Sequence, residues 1–120
     1  FTDPDLFQAD LWFEYVSPCT GTLSVQMCNG TFYDSVLAVY GTNDPAGACE
    51  CPDGDASLLT CDDDGCGELG GPSITTFAVV ADACYLIRVG GWSANGQADG
   101  AARGVSRLDI GVLCAPTPSN

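Results

Sequence analysis

Carboxylates and cysteines are the side chains from which this chain can build chemistry. It holds 16 Asp and Glu and 8 Cys, no His, no Lys, and 3 basic residues, Arg88, Arg103 and Arg107. Without His or Lys there is no Ser-His-Asp triad, no Cys-His pair, no Schiff base and no His-ligated zinc. A glycosidase-like pair of carboxylates is the one catalytic arrangement left. Changing Glu14 or Asp34 singly would test it. No supporting acid–base constellation accompanies them, so the chain is expected not to be an enzyme.

The densest acidic run is Asp62, Asp63 and Asp64, followed by Gly65. Hard oxygen ligands on a turn suit Ca²⁺, which takes about 6–8 of them. No EF-hand register fits, and Asp53 and Asp55 in the preceding loop make only half a pattern. The competing reading is a solvated turn, its acids capping backbone amides and keeping the protein soluble.

The cysteines are dense and even in number: Cys19, Cys28, Cys49, Cys51, Cys61, Cys66, Cys84 and Cys114. Their spacings lack the paired C-x2-C knuckles of zinc ribbons. Disulfides in a secreted, extracellular chain are the expectation, with the leader already removed before Phe1. Cys19 and Cys28 bracket an alternating strand that would hold them about 30 Å apart, whereas a disulfide needs Cα atoms within ~7 Å. They must pair elsewhere, and spacing leaves the remaining connectivities open.

A net charge of −13 excludes ordinary nucleic-acid binding and disfavours anionic membranes. No apolar stretch approaches the ~18 residues of a membrane span.

The elements that must carry these groups are strands. Residues 20–28 alternate, with Leu23, Val25 and Met27 on one face. Residues 106–114 do the same through Leu108, Ile110 and Val112, and residues 84–92 through Tyr85, Ile87 and Val89. Residues 74–80 form a further β-rich run, while 11–16 and 58–61 are shorter candidates. Residues 35–40 are nearly all apolar, as a central strand covered on both faces would be. Gly, Pro, Asn and Asp clusters separate these runs, and no helical stripe interrupts them. The pattern predicts an all-β, jelly-roll-like β-sandwich of about 7–8 strands, stapled by disulfides.

Four segments in order, WFEYVSPCTGTLSVQMC, FYDSVLAVYG, CDDDGCG and ITTFAVVADACYLIRVGGW, resemble the bacterial pre-peptidase C-terminal (PPC) domain in its cysteine-rich variant. The resemblance runs from about Leu11 to Cys114. It implies a jelly-roll sandwich and a non-catalytic module of secreted proteins, with relatives that bind calcium or polymers. Asp62 stands where the variant usually has Asn. The resemblance also implies the disulfides Cys19–Cys84, Cys28–Cys66, Cys51–Cys61 and Cys49–Cys114, and brings Asp34 toward the Asp62–Asp64 loop.

Trp12 and Trp92 are either core residues or platforms for stacking on sugar. Asn29-Gly30-Thr31 matches a glycosylation sequon, although a turn-forming Asn-Gly explains it equally. Thr117 and Ser119 lie in a Pro-containing tail that is either extended or O-glycosylated. Residues 1–10 are expected to be an N-terminal extension, 11–114 the sandwich and 115–120 a tail. Edge strands are normally guarded by Lys, and this chain has none. Phe1, Leu6 and Phe7 are therefore expected to lie in a groove or on an edge of the next copy, a head-to-tail contact that propagates. The expected function is a secreted structural protein that self-assembles into an extracellular filament or surface layer. The alternative is a calcium-dependent module that binds polysaccharide or protein and belongs to a secreted hydrolase.

Overall fold

The computed structural model describes residues 7–31, 34–43, 57–62, 65–67, 71–92 and 106–116. Its strands are β1 (Phe7–Val16), β2 (Gly21–Gln26), β3 (Ser35–Tyr40), β4 (Leu58–Asp62), β5 (Ile74–Val79), β6 (Cys84–Trp92) and β7 (Asp109–Cys114). They form two antiparallel sheets, β1-β6-β3-β4 and β5-β2-β7. The fold is the all-β sandwich that the alternation predicts. Every connection but β3 to β4 passes from one sheet to the other, which is the jelly-roll habit. Among the described residues there is no helix, and hence none long and apolar enough to cross a membrane.

The period of two explains the core. Leu23, Val25 and Met27 point inward and are fully buried, while Thr22 ahead of them is exposed and Ser24 and Gln26 between them are half-buried. They meet Leu37 and Val39 of β3 and Tyr85, Ile87 and Val89 of β6. The apolar run of β3 is buried on both faces. Its other face, Val36, Ala38 and Tyr40, joins Leu86, Leu58 and Cys61 in a second cluster. Tyr85 is the largest fully buried side chain. Its hydroxyl accepts from Val80 N at 2.9 Å and donates to Asn43 Oδ1 at 2.5 Å, and its ring meets Phe77 edge-on.

Two expectations about elements and links are corrected. The first strand begins at Phe7, inside the expected extension, because Phe7 pairs with Trp92 and Gln8 with Gly91. One extra residue between Gln8 and Leu11 breaks the ladder and shifts the alternation, which hides the strand's first half in the sequence. Cys19 is bonded to Cys114, and neither the Cys19–Cys84 nor the Cys49–Cys114 pair forms. Gly21 lies opposite Cys114, and Thr20 O accepts from Ala115 N at 2.8 Å. The chain entering β2 thus runs beside the end of β7. Cys28 is bonded to Cys66, one of the pairs the resemblance implied. Cys84 is also disulfide-bonded. Cys61 sits opposite Ala38, whereas Cys49 and Cys51 lie outside the described residues.

The two long sides of the sandwich differ. Where β4 meets β5, polar groups stitch the sheets together. Thr60 and Thr75 share a 2.7 Å hydroxyl contact. Ser73, fully buried, donates to Ser35 O at 2.6 Å, and its backbone O accepts from Met27 N at 2.8 Å. On the other side, β1 and β7 are the outer strands, and among the described residues each pairs with one neighbour.

Candidate functional site

That unstitched side is the candidate site. Leu11, Phe13 and Tyr15 of β1 stand opposite Val89, Ile87 and Tyr85 of β6, so they belong to the inward face. Tyr15 packs on the core, but Leu11 is 62% exposed and Phe13 41%. Across the gap, Ile110 of β7 stands opposite the buried Val25 yet is 38% exposed. The cause is strand count. Among the described residues the larger sheet has four strands and the smaller has three, so none of these strands lies over the inward face of β1. Single exposed apolar residues need no explanation, but a stripe on an inward sheet face does.

Charge is sparse along this stripe. Arg107, just before β7, pairs with Asp109 through Nε at 3.0 Å and keeps a side chain that is 67% exposed. Its backbone is fixed by Thr31, whose buried hydroxyl accepts from Arg107 N at 3.1 Å. The sequon thus has a structural use: Asn29 is exposed at the turn, while Thr31 pins the entry to β7.

Of the remaining candidate ligands only Asp62 and Asp34 are among the described residues. Asp62 closes β4, and its Oδ2 accepts from Gly65 N at 2.7 Å and from Ile74 N at 2.9 Å. A Cβ on Gly65 would collide with that same oxygen, so the turn after Asp62 requires glycine. Asp34 is half-buried just ahead of β3, three residues before Leu37, the partner of Asp62 in the ladder. Because the pair is antiparallel, that offset of about 10 Å runs the way the chain leaves β4, toward the loop that follows Asp62. Asp63 and Asp64 lie outside the described residues, as do Asp53 and Asp55. Among the described residues no three metal-ligating side chains gather.

Trp12 is 40% exposed on the outward face of β1. The Arg88 guanidinium sits over its ring, 5.2 Å from the centroid, and Tyr40 packs beside it at 5.4 Å. The face under Arg88 is closed to a sugar. Trp92 ends β6 opposite Phe7, with only its backbone described. Phe1 and Leu6 lie outside the described residues, as do Thr117 and Ser119 of the tail. A shallow recess of about 510 Å³ flanks the Cys19–Cys114 bond, lined by Pro18, Thr20, Ala81, Ala115 and Pro116.

No family model, no curated protein and no solved structure matches this chain.

Proposed function

We propose that the chain is a non-enzymatic extracellular structural module of PPC type, whose copies assemble into a filament or surface layer. The observation that carries this reading is the unstitched side of the sandwich, where two outer strands flank the exposed Leu11, Phe13 and Ile110. Outer strands are templates for another chain, and no Lys guards them here. The disulfides favour an oxidising compartment, and the lack of His and Lys disfavours most catalysis. The alternative, calcium-dependent binding of polysaccharide or protein, rests on weaker ground. Its best platform, Trp12, is engaged by Arg88, and Oδ2 of Asp62 is occupied by two backbone amides.

Electron microscopy and sedimentation of the oxidised protein, over a range of protein and salt concentrations, test the reading. Ordered polymers are expected. Monodisperse single copies under every condition would sink it.

A further inference from the structure

We infer that Asn29 is a site of spontaneous modification: Gly30 N attacks its side-chain amide, and the turn after β2 converts to aspartate and isoaspartate. This chemistry does not depend on assembly.

The sequence supplies the reactants. When glycine follows asparagine, the next backbone nitrogen reaches the side-chain carbonyl with least hindrance, since glycine has no Cβ to obstruct the approach. Two such pairs occur, Asn29-Gly30 and Asn95-Gly96, and the second lies outside the described residues.

Three observations favour reaction at Asn29. The first is access. Asn29 and Gly30 are both exposed, in the turn of residues 28–30. The second is freedom. Neither the Asn29 side chain nor Gly30 N has a hydrogen-bond partner among the described residues. Asn43 is the contrast. It too is exposed, but its Oδ1 accepts from the Tyr85 hydroxyl, and Asp44 follows it. The third is charge. Gly30 has a φ of 90°, and a Cβ there would stand 3.3 Å from Arg107 Cβ and 3.6 Å from Arg107 Cδ. The Arg107 guanidinium continues from that Cδ, so a positive charge lies near the nitrogen that must lose its proton. A nearby positive charge favours the anion. Asp109, bonded to Arg107 Nε at 3.0 Å, offsets part of it.

The reaction balances without a co-reactant other than water. Gly30 N loses its proton and bonds to Asn29 Cγ. The Cγ–Nδ2 bond breaks, and ammonia leaves with the proton. Water then opens the cyclic imide at Cγ, giving aspartate, or at the main-chain carbonyl carbon of Asn29, giving isoaspartate. Nothing is oxidised or reduced. Either product adds a negative charge, and isoaspartate also routes the main chain through Cβ and lengthens it. The turn is held at both ends. Cys28 is bonded to Cys66, and the Thr31 hydroxyl meets Arg107 N at 3.1 Å and Arg107 O at 3.4 Å. The added length therefore falls on the Thr31–Arg107 contact, the weaker of the two anchors, at the entry to β7.

Peptide mapping of the full, oxidised chain tests the site. The protein is held in mildly alkaline buffer, digested with pepsin in acid, and the Asn29 peptide is followed by mass spectrometry. An isoaspartyl methyltransferase reports isoaspartate. Asn29 should convert in the folded chain no more than about tenfold slower than in the reduced, unfolded chain, a barrier difference of about 1.4 kcal/mol. Asn43 should keep its amide. Arg107→Gln, shown to fold by circular dichroism, should slow Asn29 about threefold, the effect of a single charge a few ångströms away in water. Converted chains, separated by anion exchange, should unfold at lower urea than unconverted ones. An Asn29 that keeps its amide in the folded chain while the unfolded chain converts would overturn the inference, and so would a glycan on Asn29 of native material.

Discussion

Replacing Asp62 separates a backbone role from a metal role. In the structure one oxygen of its carboxylate holds two amides, Gly65 N at 2.7 Å and Ile74 N at 2.9 Å. The first bond is exposed, so water replaces it on loss, at about 0.5–1 kcal/mol. The second is partly buried, and stranding its N–H costs about 1–3 kcal/mol. Asp62→Ala should therefore lower stability by about 2–3 kcal/mol. Asp62→Asn keeps a neutral oxygen in the same place and should lose only about 1 kcal/mol. Urea unfolding followed by tryptophan fluorescence, with calcium and then with a chelator, gives both numbers. The losses should be the same in the two media. If Asp62→Ala matched the native protein in chelator and fell behind only with calcium present, the carboxylate would serve an ion and not the turn.

Other consequences can be measured with the same unfolding assay or by light scattering. The Cys19–Cys114 bond closes a loop with a sequence separation of 95 and Cys28–Cys66 one of 38; chain entropy assigns them about 4.7 and about 3.9 kcal/mol. Paired Cys→Ser replacements should show that order, and a larger loss at Cys28–Cys66 would contradict it. Tyr85→Phe keeps the edge-on contact with Phe77 but strands the half-buried Val80 N, while water replaces the bond to the exposed Asn43, for a loss of about 1–2 kcal/mol. Each copy carries a net charge of −13, so raising salt from ~10 mM, where the screening length is about 30 Å, to ~150 mM, where it is about 8 Å, should promote assembly. Assembly that weakens with salt would mean that ion pairs between copies dominate the contact.

The strands were legible where apolar and polar residues alternate or where the chain runs apolar without a break. Leu23, Val25 and Met27 declare their face by alternation alone, and the two-sided burial of β3 follows from its unbroken apolar run. The first half of β1 was illegible because its extra residue changes the phase between Gln8 and Leu11. The polar stitches were illegible for another reason. Ser35 and Ser73 are 38 positions apart, and Thr31 and Arg107 are 76 apart. Hydroxyls that meet at such separations leave no local pattern. The same holds for Cys19 and Cys114, which come together only because β2 and β7 are neighbours. Alternation also placed Ile110 on the inward face, but it could not show that no strand lies beyond it.

How the edges are guarded ties assembly to solution conditions. The β4–β5 side is sealed by the Thr60–Thr75 contact and by Ile74 N bonded to Asp62. β1 is blunted by its irregularity. β7 has neither device, and it presents Ile110 inward at 38% exposure and Leu113 outward at 77%. On the assembly reading proposed above, the charge of the whole molecule would hold neighbouring copies off, acting over a screening length and not through contact. A Lys on the edge would block pairing under every condition. Repulsion from 13 net negative charges blocks it only while those charges are unscreened. If copies assemble as proposed, they should therefore stay apart where dilute in low salt and pair where ions are plentiful, which light scattering across a salt series would show.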